Sequence, residues 1–131
     1  MNDNPWSRSF IPNSGRIGAS VSLPVRQPIP EIDVDELGVL LTGGSVRLLD
    51  VREEWEFRRR RVPGAVSVPL AQLPARIAVL PRDERLLVIC EHGVRSRVAT
   101  DLLLRSGFEN AVSVKGGTDA WVRANRPVER D

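Results

Sequence analysis

From Glu31 onward, short apolar runs rich in Val, Ile and Leu alternate with segments of helical periodicity, and this alternation constrains the fold more than any other feature. A run that is apolar at every position needs cover on both faces, which a largely parallel sheet between helices supplies. Strands are expected at 31–32, 47–51, 65–68, 85–90 and 111–114. Helices are expected at 34–41, 53–59, 73–79, 96–106 and 118–124. Gly43-Gly44 and Gly107 stand where helices should end, and Gly116-Gly117 separates the last strand from the last helix.

The chain has 131 residues, enough for one compact domain and too few for two. Residues 1–30 hold five of the ten prolines, five serines and a single acidic residue, Asp3, a composition that does not support regular secondary structure. The expected division is a Pro/Ser/Arg-rich tail over 1–30 and a domain over 31–131. Arg8, Arg16 and Arg26 raise organelle targeting as an alternative for the tail, against which stands the lack of an amphipathic helix. Trp6 and Phe10 are candidates to pack back onto the domain.

Nineteen basic against 17 acidic residues leave a net charge of +2, which gives no reason to expect nucleic acid as a partner. The longest uncharged apolar runs, 86–90 and 102–104, fall far short of the roughly 20 residues of a membrane helix, so no membrane association is expected. One cysteine excludes an internal disulfide, and neither a CxxC pair nor a Cys/His cluster offers a structural metal site. With no signal-peptide pattern at the N-terminus, a reducing cytoplasm is the expected location.

The chemistry concentrates where an apolar strand ends on Cys90 and a tight turn, Glu91-His92-Gly93-Val94-Arg95-Ser96, leads into a helix. Open α/β sheets place their ligand crevices at the carboxyl ends of strands. A turn into a helix N-terminus points several backbone N–H groups at one spot, a cradle that stabilises a thiolate and would make Cys90 a nucleophile near neutral pH. The same cradle would hold a persulfide anion. Arg95 adds a positive charge for an oxyanion donor such as thiosulfate. Gly93 permits the turn, and Ser96 is placed to cap the helix.

The competing reading of Cys90 is a buried structural thiol. His92, the only histidine, is either a general base or a loop side chain pointing to solvent. Asp50 at a strand end is expected to cap a turn and to pair with Arg52 or another arginine. Trp55 and Trp121 are expected in the core. The run of four arginines at 58–61 reads as a solvated helix end rather than a docking patch. No phosphate loop, dinucleotide fingerprint or catalytic carboxylate pair is present.

The stretch Cys90-Glu-His-Gly-Val-Arg-Ser96 resembles the active-site loop of rhodaneses, in which a catalytic cysteine is followed by four residues and an arginine. Leu49-Asp50-Val51-Arg52-Glu53-Glu54-Trp55-Glu56-Phe57 is similar to the family's Asp-Val-Arg-Glu segment. Pro63-Gly64-Ala65 with Val68-Pro69-Leu70, and Val114-Lys115-Gly116-Gly117 with Ala120-Trp121, resemble two later stretches. The likeness runs in order over residues 31–127. It implies a three-layer α/β/α sandwich around a five-stranded, mostly parallel sheet. It also implies a sulfurtransferase that moves a sulfane sulfur from thiosulfate or a persulfide donor, through a Cys90 persulfide, to a thiol, cyanide or protein acceptor, with no metal or organic cofactor.

The six-residue spacing from Cys90 to Arg95 matches the family's sulfurtransferases, whereas the related phosphatases use seven. Phosphatase or arsenate reductase chemistry is therefore the weakest alternative, behind a sulfur-relay module serving a dedicated protein donor or acceptor. Two departures stand out. Arg60-Arg61 replaces the family's Gly-His, and Glu91 stands where thiosulfate-using relatives often have arginine, which weakens the case for small anionic donors and favours a protein partner.

Overall fold

A computed structural model describes Val25 and residues 27–131. Five strands, β1 (Glu31–Ile32), β2 (Val46–Asp50), β3 (Val66–Ser67), β4 (Arg85–Ile89) and β5 (Val112–Val114), form one sheet in the order β1-β5-β4-β2-β3. Every neighbouring pair is parallel. The helices are α1 (Val34–Gly43), α2 (Glu54–Arg59), α3 (Leu73–Arg76), α4 (Val94–Arg105) and α5 (Gly117–Arg123). The expected fold class is the observed one, and β4, apolar and buried after Arg85, occupies the middle of the sheet.

Alternation along the strands sorts the core into two layers. Leu49, Leu86 and Val88 pack with Leu73 and with Ala99 and Leu103 of α4 on one face. Leu48, Leu87 and Ile89 pack with Leu37 of α1 and Trp121 of α5 on the other. Trp121 is core as expected and donates its indole N–H to the Pro127 carbonyl at 2.7 Å.

Several expectations need correction. The helix expected at 73–79 is only α3, flanked by 3₁₀ turns at Leu70–Gln72 and Ile77–Val79, and Pro74 lies in its first turn, where its missing N–H costs no helical bond. Trp55 is 63% exposed, because no residue of α2 is buried and the helix rides on the rim of the sheet. The arginine run is divided rather than uniformly solvated, since α2 stops at Arg59 and Arg60 is extended. Arg61 therefore turns inward, lies over the Phe57 ring at 4.7 Å and pairs with Asp131 at 2.8 Å.

Trp6, Phe10, Arg8, Arg16, Arg26 and most of the expected tail lie outside the described residues. Its last residues lie on the domain: Ile29 is buried, the Pro30 carbonyl accepts from Ser113 N–H, and Gln27 reaches Asp101 at 2.6 Å. Among the described residues no helix is long and apolar enough to cross a membrane.

Leu87, fully buried in the middle strand, measures how far this core is committed. Leu87→Ala should lower unfolding stability by about 2–5 kcal/mol in urea titrations. A loss under about 1 kcal/mol would contradict its placement.

Candidate active site

The carboxyl end of β4 delivers Cys90 to the mouth of the sheet, and the chain then turns through 91–93 into α4. Gly93, at φ 93°, is the N-cap. Its positive φ turns the backbone so that the loop amides face inward, and an added Cβ would press within 3.1 Å of the Gly116 amide. The Gly93 and Ser96 N–H groups both donate to Cys90 Sγ, at 3.1 and 3.2 Å. The amides of Val94 and Arg95 begin the helix and meet no backbone acceptor among the described residues. The sulfur thus sits at the positive end of α4 with two amides bound.

Ser96 does not cap α4. It is the third residue of the helix, and its hydroxyl points into the site, 3.4 Å from Cys90 Sγ and 2.7 Å from Ser113 Oγ of β5. Ser113 went unnoticed in the sequence, although a serine inside an otherwise apolar strand is the kind of buried polar residue that requires a partner.

Cys90 is only 1% exposed. Burial by itself fits an inert core cysteine equally well. The difference lies in what surrounds the sulfur, because two backbone N–H groups donate to it and it donates to the Ser96 hydroxyl, where an inert core thiol would meet a purely hydrocarbon wall. A partner atom reaches Sγ only by entering the loop.

A second segment holds the loop from below. Thr118 N–H donates to the Cys90 carbonyl at 2.8 Å and Asp119 N–H to the Glu91 carbonyl at 3.0 Å. These contacts require the start of α5 to approach so closely that a Cβ on Gly117 would overlap both carbonyl groups. The Gly116-Gly117 pair, read in the sequence as a separator, is therefore also part of the site's frame.

The charged residues form a linked set. Asp50, at the end of β2, accepts from Arg52 at its backbone N–H (3.1 Å), Nε (2.9 Å) and Nη2 (2.7 Å). Arg52 is 1% exposed and also donates to Glu91 at 3.1 Å and to the Arg60 carbonyl at 2.8 Å. Burial opposes its charge, but the hydrogen bond and charge of Asp50, with Glu91 and Glu56 behind them, more than offset this and raise its pKa. Glu91 bridges Arg52 and Arg60, the latter at 2.9 Å.

Arg95 forks onto Glu56 with bonds of 2.8 and 3.0 Å. The guanidinium expected to receive an oxyanion is thus already engaged by a carboxylate. Its pKa is raised first by that hydrogen bond, against burial, with the charges of Glu56, Cys90 and Asp50 adding to it. Glu56 carries no site signal in the sequence, and Arg60 stands out there only as part of the arginine run and of the Arg60-Arg61 departure, since neither shows its partner until the chain folds.

The His92 side chain is exposed. Glu91, His92 and Asp119 bring ligand atoms within 4.8 Å of one another, but both Glu91 oxygens are taken by arginines, which argues against a metal there. Beside the loop, Arg52, Trp55, Glu56, Arg59, Arg60 and Glu91 line a cleft of about 270 Å³.

Residues 33–124 match the Rhodanese-like domain family. A protein of Allochromatium vinosum named sulfurtransferase is 30% identical over 101 residues, covering 76% of this chain and 94% of its own. The thiosulfate sulfurtransferase GlpE of Vibrio cholerae is 32% identical over 98 residues, covering 75% of this chain and 92% of its own. A rhodanese-related protein of Thermoplasma volcanium has a solved structure that superposes with a TM-score of 0.73 at 30% identity, covering 78% of this chain and 99% of that one.

The Arg95 hydrogen bond holds the Glu56 carboxyl below its ordinary value of 4.5, against the opposing effect of burial. The unfolded chain therefore binds that proton more readily, so the contribution to stability is complete above pH 4.5 and lost as pH falls through the lower folded value. Unfolding midpoints of wild type and Glu56→Gln should differ at neutral pH, and the difference should shrink on acidification below pH 4.5. A pH-independent difference would contradict the assignment.

Proposed function

Because the chain belongs to the rhodanese-like domain family, we propose that it is a sulfurtransferase whose Cys90 takes up a sulfane sulfur as a persulfide and yields it to a second nucleophile. The observation that carries this reading is the pair of N–H groups, from Gly93 and Ser96, aimed at Cys90 Sγ at the N-terminus of α4. They stabilise the thiolate before transfer. The remaining amides of the 91–96 loop are the donors for a second sulfur.

In the first half-reaction the Cys90 thiolate attacks the outer sulfur of the donor. The donor's S–S bond breaks as the new S–S bond to Cys90 forms, and the carrier leaves with the electron pair, as sulfite when the donor is thiosulfate. In the second, an acceptor thiolate or cyanide attacks the outer sulfur of the persulfide and Cys90 departs as thiolate. The cycle is ping-pong and returns Cys90 to its starting state, so neither half calls for a redox cofactor.

Arg95 supplies fixed positive charge at the loop, while Asp50, at the end of β2, and Arg52 just after it support the loop through Glu91. Gly93 and Val94 shape the turn, Ser96 contributes its amide and hydroxyl, and His92 contributes backbone alone. A lone thiol that must be reduced at the start of every cycle fits a reducing compartment such as the cytoplasm. The donor is a small sulfur compound or a protein persulfide, and the acceptor a thiol, cyanide or a protein.

Incubation with thiosulfate, followed by intact-mass measurement, should add one sulfur to wild type and none to Cys90→Ser. Iodoacetamide should label Cys90 in the native protein and be blocked after sulfur loading. Labelling seen only on unfolding would mean that the buried thiol is structural, and would overturn the reading. Arg95→Ala should lower kcat/KM for thiosulfate about fivefold, because it removes positive charge beside the loop and leaves the Glu56 carboxylate unpaired there.

A further inference from the structure

The three arginines of the linked set around Cys90 are each matched by a carboxylate. Arg52 faces Asp50, Arg60 faces Glu91, and Arg95 faces Glu56. A small dianion entering the loop therefore meets no free cation within this set. Glu91 is central to the balance, because it follows Cys90 directly and its two oxygens occupy both Arg52 and Arg60, at 3.1 and 2.9 Å. In the adjoining cleft the cation left over is Arg59, which makes no ion pair among the described residues, and beside it the Trp55 ring is open to solvent.

We infer that Glu91 is a specificity-determining residue that disfavours small dianionic donors, and that the preferred donor is a low-molecular-weight organic persulfide bearing a carboxylate, its carrier seated in the Trp55–Arg59 cleft. The inference rests on the sulfurtransferase reading and narrows it. Thiosulfate brings two negative charges to a loop whose mouth already holds the Glu91 carboxylate, so repulsion and the lack of an unpaired arginine both count against it. A persulfide brings at most one, and in the protonated form R–S–SH, the form a thiolate attacks, it brings none at the reacting sulfur. The Cys90 thiolate bonds to its outer sulfur, the donor's S–S bond breaks, and R–S⁻ leaves with the electron pair, so atoms and charge balance. The carrier's methylenes then lie against Trp55 and its carboxylate meets Arg59. A cleft of about 270 Å³ suits a carrier of that size rather than a folded partner.

The test compares kcat/KM for thiosulfate and for freshly prepared glutathione persulfide, with cyanide as acceptor and thiocyanate as the readout, in wild type, Glu91→Gln and Arg59→Ala. Wild type should prefer the persulfide. Glu91→Gln should raise kcat/KM for thiosulfate about tenfold, mainly through KM, and so shift the donor ratio toward thiosulfate. A merely structural Glu91 would lower use of both donors, so a gain with one of them separates the roles. Arg59→Ala, on the exposed cleft wall, should lower persulfide use more than thiosulfate use, and keeps the inference testable if Glu91→Gln does not fold.

An unchanged donor ratio in both variants would overturn the inference while leaving the sulfurtransferase reading in place, provided Cys90 still gains a sulfur. Failure of wild type to take sulfur from either donor would overturn both.

Discussion

A guanidinium removed from water is tolerated only where its charge and all its donors are met, and the side chain of Arg52 is buried to that degree. Meeting that requirement organises the functional end of the molecule. Asp50 must lie at the end of β2, the end of α2 must present the Arg60 carbonyl, and the residue after Cys90 must bring a carboxylate across. One side chain thereby links the central sheet, the rim helix and the cysteine loop. Removing Asp50 would leave most of that buried charge uncompensated, and removing either other partner would leave a donor unmet, so the three segments are held in register by an energetic penalty as well as by packing.

Around that tie the loop is built mainly from backbone. Amides of Gly93 and Ser96 reach the sulfur from above, and amides of Thr118 and Asp119 hold the loop carbonyls from below. Backbone donors carry no side-chain entropy to lose and need no reorganisation as charge develops on sulfur, which is the arrangement that favours anionic chemistry. The cost appears at Gly93 and Gly117, positions where close approach leaves no room for a Cβ without displacing neighbours.

Much of the architecture was legible in sequence because it follows from periodicity. Continuous apolar runs such as the one leading to Cys90 demand two covered faces, and the glycines mark where helices stop. The misreadings have a common physical origin. Trp55 looks like a core residue by composition, but whether an amphipathic helix buries its aromatic residue depends on where the helix docks, and α2 docks on the rim. Ser96 looks like a cap because cap residues are recognised by type, yet Gly93 had already begun the helix with its positive φ. The 58–61 arginines look uniform, and only the extended geometry of Arg60 sends Arg61 inward.

What the sequence determined by itself is local or periodic: the strand and helix order, the placing of the single thiol at a strand end before a helix, and the six-residue spacing of Cys90 and Arg95. What tertiary structure alone decided is the partnership among residues far apart in the chain, Arg95 with Glu56, Glu91 with Arg52 and Arg60, Ser96 with Ser113, and the depth at which the sulfur lies. The reason is physical. Periodicity and turn chemistry act over a few residues, whereas the pairing of buried charges and hydroxyls is settled only when the sheet brings separate strand ends to one edge.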